Sequence, residues 1–408
     1  MTDSAAPAGK RDLSTAEFVI MIAGLMSLNA LAIDVMLPAL DDIAASYKLQ
    51  NANDQQLVVY AYIFGFGAPQ LIWGPLSDSF GRRSVLFVAL AGYSIAGLCC
   101  ILAGSFTQLL VVRFIQGVFA SGVRVIAVSI VRDRFEGRGM ARIMSLVLTI
   151  FMVVPIMAPA IGQLVLLLAP WEWIFGVLTL LGGLMLVWAF LRVPETLPKE
   201  KRRPLNLHAA LTAYVDVFRY RVTTGYMLAS GVIFGALFAF IGSAEQVFTE
   251  VFGKEDSFVI WFAIAALGLS CGTFTNSRLV ERYGMRRLSQ VALCIFISVA
   301  LILLVLLTFV GEHFVIFFPL FVLMFACFGL IGSNYNALAM EPLGKMAGTG
   351  SAAYGFATTT FSSVLGWVIG SQYNGSAVPL IAGFAVLGIL SMIIVAITER
   401  GQLFMPGR

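Results

Sequence analysis

The chain contains 408 residues, of which 59% are hydrophobic and only 12% charged, and its formal net charge is +4. Soluble domains carry roughly 25% charged residues and about 45–50% apolar residues. A soluble enzyme and a disordered protein are therefore excluded, because both need polar surface, and the composition indicates a polytopic membrane protein.

Twelve apolar stretches are long enough to cross a bilayer as helices, which takes about 20 residues each. They are continuously apolar rather than alternating, and this favours α-helices over a β-barrel. The predicted spans cover residues 17–40, 56–76, 84–104, 107–131, 141–168, 171–192, 223–247, 258–279, 288–310, 314–340, 349–372 and 377–398.

One long connection, rich in proline and charge, separates six predicted spans from the other six. The predicted fold is therefore all-α, with two pseudo-symmetric six-helix bundles. Its parts are an N-terminal tail (1–16), an N-terminal bundle (17–192), a central loop (193–222), a C-terminal bundle (223–398) and a C-terminal tail (399–408).

The positive charges predict the orientation. Nearly all of the 26 lysines and arginines fall in tails and loops on one side of the membrane, whereas Lys48 and Lys254 lie on the other. Loops rich in lysine and arginine stay cytoplasmic, so both tails and the central loop are expected in the cytoplasm. The chain shows no basic face of the kind that nucleic-acid binding needs.

A loop motif recurs about half a chain length later and predicts an internal repeat. The loops after spans 2 and 8 read GPLSDSFGRRSVL and SRLVERYGMRRL. Aligning their glycines pairs Gly81 with Gly284, Asp78 with Glu281 and Arg83 with Arg286. The glycine permits a tight turn, and the carboxylate can hold a neighbouring helix or arginine in one conformation and release it in another. The alternative is coincidence, since cytoplasmic loops are generally basic.

Charge within a bilayer costs at least about 2.5–3.5 kcal/mol per group at a helix centre, so charged residues in spans are functional candidates. The four that stand out are Asp34 in span 1, Arg113 and Arg124 in span 4, and Glu245 in span 7. Burial disfavours the charged form of the Asp34 carboxyl, which suits a site that takes either a proton or a substrate. A structural ion pair or a helix cap is the alternative.

The other three charges have open assignments. Arg113 is expected to neutralise Asp34 across the contact between spans 1 and 4, or else to serve in helix packing. Arg124 either lines the cytoplasmic half of a cavity and favours anionic substrates, or extends to the lipid headgroups. Glu245 is a second proton-binding acid or a residue of the outer rim.

Polar and aromatic residues at span centres predict a pocket for amphipathic ligands. Core or lipid-facing packing is the alternative for each aromatic residue. With Arg124, the predicted substrate-binding residues are Asn29, Tyr60, Tyr62, Phe238, Asn334, Asn336 and Tyr354.

In span 5, Pro155, Pro159 and Gly162 remove backbone donors and side-chain bulk. This predicts a kink and a close approach to a helix of the other half, with an ordinary proline kink as the alternative.

Five motifs together resemble the twelve-span drug–proton antiporters of the major facilitator superfamily, and more closely their bicyclomycin and chloramphenicol resistance (Bcr/CflA) branch. They are AIDVMLPAL (32–40), QLIWGPLSDSFGRRSVL (70–86), VVRFIQGVFASG (111–122), VPIMAPAIGQ (154–163) and ALAMEPLGKMAGTGSA (337–352). The chain departs from the pattern at Ser79, where an arginine is usual, and has Arg124 four residues before the branch's usual arginine position.

The resemblance implies alternating access, a role for Arg113 in proton transfer, and a span 5 that seals the cavity on the periplasmic side. Asp34, Arg113 and Glu245 are the proton-coupling candidates. The residues expected to act in gating and conformational change are Gly74, Asp78, Gly81, Arg82, Arg83, Gln116, Gly117, Arg132, Asp133, Pro155, Pro159, Gly162, Glu281 and Arg286.

The sequence therefore predicts a proton-coupled antiporter that exports small amphipathic drugs or metabolites across a bacterial inner membrane. It is expected to act as a monomer in lipid, on a small molecule and protons, with neither cofactor nor metal, and it lacks nucleophile triads, HExxH and Walker loops. The alternatives are a specific metabolite exporter or proton symporter on the same scaffold, and a non-transporting membrane sensor or scaffold.

Overall fold

The computed structural model describes residues 13–135, 137–202 and 204–405, and in these ranges every regular element is a helix. Most of the predicted tail 1–16 lies outside the described residues. The helices are α1 (Thr15–Asp34), α2 (Leu40–Ser46), α3 (Leu57–Gly67), α4 (Gln70–Phe80), α5 (Arg82–Ile101), α6 (Phe106–Arg134), α7 (Gly137–Phe151), α8 (Val154–Leu168), α9 (Glu172–Arg192), α10 (Leu207–Phe218), α11 (Arg221–Gln246), α12 (Phe258–Tyr283), α13 (Met285–Phe309), α14 (Phe314–Met340), α15 (Ala347–Gly370) and α16 (Val378–Thr398). A π-helical turn, Val247–Val251, extends α11.

The helices confirm the predicted all-α membrane fold. Within the described ranges, ten segments are long and apolar enough to span a bilayer, and the bent pair α3 and α4 makes eleven. Helix α15 has 24 residues, but its glycines and hydroxyl side chains lower its hydropathy. It packs along α11 and against α3, and its hydroxyl residues Thr359, Ser362 and Ser363 are buried within the protein. The arrangement is consistent with twelve spans.

Helices pack mainly with others from their own half of the chain. In the first half, α6 lies against α3 and α5, and α1 against α7 and α8, while in the second half α11 contacts α15 and α16, and α14 contacts α12 and α13. The two groups meet where α3 and α4 contact α15, and where α8 contacts α12. A site at this boundary can therefore combine side chains from both halves.

Three predicted continuous spans are broken in the structure. The first ends as an α-helix at Asp34 and continues through a 3₁₀ turn, Leu37–Ala39, into α2. The second bends by 45° between α3 and α4, where Pro69 cannot donate a backbone hydrogen bond. The fifth is divided into α7 and α8, with Pro155 in the first turn of α8. Such breaks leave carbonyl groups without helical partners.

The central connection is more ordered than a loop, since it contains the helix α10, which packs against α11 and α15. Pro75 has no N–H, so the Leu71 carbonyl four residues earlier in α4 lacks its helical donor. The buried Tyr214 hydroxyl of α10 donates to this carbonyl at 2.9 Å. The hydrogen bond attaches α10 to the first half, and its helix contacts attach it to the second.

Removing this hydroxyl should loosen α10. In Tyr214→Phe the Leu71 carbonyl keeps its place but loses its donor, at a cost of about 1–3 kcal/mol. We expect amide hydrogen exchange in Leu207–Phe218 to accelerate about tenfold, measured by mass spectrometry. Tyr220→Phe is the control because Tyr220 is exposed beyond the end of α10. Equal exchange of α10 in the two variants would show that the hydroxyl does not hold the helix.

Candidate functional site

A cavity of about 710 Å³ lies between the two halves. We call its side of the protein the basic side, because the turns at Gly81 and Gly284 and the arginine-rich central connection are there. Its volume falls within the range of ligand pockets. Its lining residues are Gln70, Gly74, Pro75, Asp78, Ser79, Arg82, Arg124, Val125, Val128, Ser129, Arg132, Met140, Pro204, Leu205, Asn206, Ala213, Tyr214, Asn336, Gly348, Thr349, Ser351, Ala352, Tyr354, Gly355 and Thr358.

On the opposite side, side chains of the first half seal the boundary by hydrogen bonds to the second. The Gln56 amide donates to Gln246 Oε1 at 2.6 Å and to the Gly370 carbonyl at 3.1 Å. Asn53 donates to the carbonyl of Tyr373 at 2.9 Å. The structure is therefore closed on this side while the cavity lies on the basic side.

The predicted substrate residues divide into two sets. Arg124 and Tyr354 line the cavity, as does Asn336, whose side chain is exposed. Five residues lie outside the lining: Asn29, Tyr60, Tyr62, Phe238 and Asn334. Asn334 is turned toward α12, where its amide donates to Asn276 Oδ1 at 2.6 Å.

Tyr60 and Tyr62 have structural partners. The fully buried Tyr60 donates to the Phe238 carbonyl at 3.0 Å, which adds to the closed contact between the halves. Tyr62 donates to Asn29 Oδ1 at 3.1 Å, and its ring lies 4.5 Å from the Arg113 guanidinium carbon. Asn29 and Tyr62 thus belong to the surroundings of Arg113.

Arg113 is fully buried and holds three oxygen acceptors at once, with the Met36 sulfur at 3.3 Å as a fourth acceptor. It donates to the Ala32 carbonyl at 2.9 Å, to the Val58 carbonyl at 3.2 Å and to Gln116 Oε1 at 2.7 Å. The predicted pairing with Asp34 is wrong for this conformation: the two side chains form no ion pair. The physical reason is the early end of α1, which frees the Ala32 carbonyl for the guanidinium.

Asp34 and Glu245 are both buried, with different surroundings. Within the described residues the Asp34 carboxylate, 5% exposed at the end of α1, forms no hydrogen bond or ion pair. Glu245 lies at the closed contact, where Thr249 donates to Oε1 at 2.7 Å and Gln55 to Oε2 at 3.4 Å. The Asp41 carboxyl of α2 lies near Glu245. Glu245 thus takes part in the contact between the two halves and is not only a residue of the outer rim.

A network of charges surrounds the turn at Gly81, which adopts φ 93°. Arg82 is 4% exposed and pairs with Asp78 at 2.6 Å and with Asp133, at the end of α6, at 3.0 Å. The Glu195 carboxylate accepts the backbone N–H groups of Arg82 at 2.9 Å and Arg83 at 3.3 Å. It therefore caps the N-terminus of α5, where a negative charge is favourable.

The second half has a corresponding network. Arg286 pairs with Glu341, just after α14, at 2.8 Å and with Glu399, just after α16, at 3.0 Å. Tyr226 also donates to Glu399, at 2.8 Å. Glu281, the predicted counterpart of Asp78, is exposed and forms no hydrogen bond or ion pair with the described residues.

The networks correct the predicted pairing of the repeat. Arg286 pairs with two carboxylates in the second half, as Arg82 does in the first. Arg83, which the sequence alignment pairs with Arg286, instead donates to the Phe190 carbonyl and lies over two phenylalanine rings. Sequence reasoning missed Glu195, Glu341 and Glu399. Glu195 and Glu399 each follow the last helix of their half, so aligning the helix ends as well as the loop motif could have found this pair.

The small residues of α6 and α8 permit close helix contacts. A Cβ at Gly117 would collide with the Tyr62 carbonyl, and one at Gly162 with the Val35 carbonyl. Pro159 lies inside α8, which packs against α12 of the other half, whereas the close contact of Gly162 is with Val35 of the first half. Arg132 lines the cavity mouth and contacts Gly348 of α15.

Neutralising Glu195 or Glu399, the glutamates that follow the last helix of each half, should lower the stability of the protein. Glu195→Gln and Glu399→Gln weaken charge-assisted hydrogen bonds, and we expect a loss of about 0.5–2 kcal/mol in each. The measurement is the melting temperature of the purified protein in detergent, with Glu200→Gln as control because Glu200 is exposed. Melting of the Glu195 variant at the control's temperature would contradict the capping role.

Comparisons with known proteins agree with this geometry. The family model of the Major Facilitator Superfamily matches residues 22–371. The chain is 32% identical over 377 residues to the uncharacterized MFS-type transporter YdgK of Bacillus subtilis, covering 92% of each chain. It is 29% identical to a bicyclomycin resistance protein homolog of Haemophilus influenzae, covering 93% of this chain and 95% of that protein.

Among solved structures, the xylose transporter XylE from E. coli in its inward open conformation aligns with a TM-score of 0.73 at 14% identity. The alignment covers 96% of this chain and 99% of that one. This likeness shows the fold. With the family model and the relatives, it shows that the chain is a multi-pass membrane transporter that belongs to the Major Facilitator Superfamily.

Proposed function

We propose that the protein exports small amphipathic molecules across a bacterial inner membrane in exchange for protons. Relatives at 29% and 26% identity are named a bicyclomycin resistance protein homolog and the multidrug resistance protein MdtL of Salmonella heidelberg, and each aligns over 93% of this chain. The excess of arginine and lysine on the basic side supports a cytoplasmic location for that side and for both termini.

The observation that carries the proposal is the asymmetry of the boundary between the halves. The cavity lies on the basic side, while Gln56 and Asn53 seal the opposite side. A transporter with a central site must open to one side at a time, usually by rocking of two bundles. This conformation corresponds to loading of a substrate from the cytoplasm, and the bundles 17–192 and 223–398 are the proposed rocking units. We propose that a monomer in lipid suffices, because the site is formed within one chain.

Asp34 and Glu245 are the proposed proton-binding groups. A buried carboxylate without a cation or donor is costly as an anion, and two adjacent carboxylates repel each other. In this conformation Asp34 lacks partners, and Glu245 faces Asp41 across the closed contact. Protons bound from the opposite side therefore stabilise this conformation, and their release to the basic side, where substrate is loaded, favours the conformation that opens to the opposite side.

A resistance assay tests export. Expression in a bacterium that lacks its own drug exporters should raise tolerance to at least one compound of a broad amphipathic panel, and a protonophore should abolish the increase. Tolerance and cellular accumulation that do not change for any compound would contradict export. An increase that survives the protonophore would contradict proton coupling.

The role of Asp34 has its own test. Asp34→Asn keeps the shape of the side chain but cannot exchange a proton, so proton-linked transport in proteoliposomes should fall at least tenfold while the protein still folds. Asp42→Asn, at an exposed position of α2, is the matched control and should transport normally. Full coupled transport by Asp34→Asn would remove this residue from the mechanism.

A further inference from the structure

We propose that the cavity binds amphipathic organic anions, carboxylates above all, and that Arg124 is the residue that recognises the negative charge. The inference rests on the proposed export function and narrows it to a substrate class.

Arg124 is a cation in the cavity wall without an acidic partner. It lies in α6, is half-buried, and its guanidinium carbon lies 5.7 Å from the centre of the Phe66 ring. No carboxylate among the described residues forms an ion pair with it. A guanidinium stays protonated in proteins, so it cannot relieve burial by losing its proton. An anion that enters the cavity can supply the missing partner.

The charges of the cavity have a positive balance. Asp78 is the lining carboxylate, and Arg82 already pairs with it at 2.6 Å. Arg132 is a further lining cation with no ion pair to a described residue. Among the described lining residues, a cationic ligand would therefore meet two arginines without an ion pair and one carboxylate that is already paired, whereas an anion would be attracted.

The surroundings of Arg124 suit a carboxylate on an apolar body. From the second half, the Tyr354 hydroxyl, which is 2.7 Å from the Ser230 hydroxyl, and the exposed Asn336 amide add hydrogen-bonding groups to the same cavity. Val125 and Val128 supply apolar wall. The guanidinium fork binds the two carboxylate oxygens in one plane, which an ammonium cannot do. An anion bound here would contact both halves.

Position argues against a lipid-facing role for Arg124. A long side chain at a membrane surface extends its charge into the headgroups. Here the residue lines a cavity between the halves, together with residues of α14 and α15. An anionic lipid headgroup could still enter such a cavity, so the test uses nanodiscs of phosphatidylcholine alone and a second set that contains phosphatidylglycerol.

The experiment compares three matched probes that differ in charge: 3-phenylpropionate, 3-phenylpropanamide and 3-phenylpropylamine, with longer homologues of each. Binding is measured as thermal stabilisation of the protein in the nanodiscs. We expect the carboxylates to bind at least tenfold more tightly than the amides and amines in phosphatidylcholine. Arg124→Gln should abolish this preference without weakening amide binding, and Arg124→Lys should retain part of it.

Arg278→Gln is the matched control, since it removes the same charge from an exposed position of α12 outside the cavity. It should retain the carboxylate preference. The proposal is overturned if the carboxylates do not bind, or if they bind no more tightly than the amides and amines. It is also overturned if Arg124→Gln still binds the carboxylates more tightly than the other probes. A carboxylate preference that the wild type shows in phosphatidylcholine and loses in phosphatidylglycerol, while Arg124→Gln shows none in either lipid, supports the anion site and adds a lipid as a second occupant.

The outcomes separate this inference from the proposed function. Carboxylate binding that depends on Arg124, without proton-linked export in proteoliposomes, supports the anion site and contradicts the exporter. Proton-linked export of amines alone, unchanged in Arg124→Gln, supports the exporter and contradicts the anion site.

Discussion

The structure depends on one constraint: between membrane-spanning helices, each buried polar group must find its partner inside the protein. Arg113 shows how this constraint is met. Its guanidinium donates to the carbonyl groups of Ala32 and Val58, and the Ala32 carbonyl has no helical donor because α1 ends early. Likewise, the carbonyl that Pro75 leaves free in α4 receives the Tyr214 hydroxyl. Irregular backbone and buried donors therefore satisfy each other, and this fixes the helices around the cavity.

The same constraint identifies the groups available for function. Arg82 and Arg286 form ion pairs with carboxylates on the basic side, and these networks stabilise the turns at Gly81 and Gly284. Asp34 is a buried charge and Arg124 a half-buried one, and in this conformation the described residues supply neither with an ion-pair partner. A proton can satisfy the first and an anion the second. A transporter needs groups of this kind, because a site that is fully satisfied by the protein has no affinity left for its cargo.

Much of the fold could be predicted because hydrophobic length is a strong signal, and the apolar stretches predicted helices where helices are found. The breaks in spans 1 and 2 could not, since apolar residues continue across them, whereas the prolines of span 5 predicted a kink in that span. The Ala32 carbonyl could not be predicted as a partner of Arg113, because the pattern of side chains does not show which backbone carbonyls a helix break leaves free. Asn334 and Asn336 lie roughly 200° apart on one helix. Both are polar, and only packing shows that the first meets α12 and the second the cavity.

Alternating access requires that the two sides of the boundary between the halves open in turn, and distance measurements on both sides test this requirement. Spin labels at Asn51 and Asn374 report on the closed side, and labels at Arg134, at the end of α6, and Met346, just before α15, report on the basic side. Pulsed dipolar spectroscopy at acidic and alkaline pH, with and without a transported compound, should show one distance lengthening as the other shortens. Distances that stay fixed, or that lengthen on both sides together, would contradict the account.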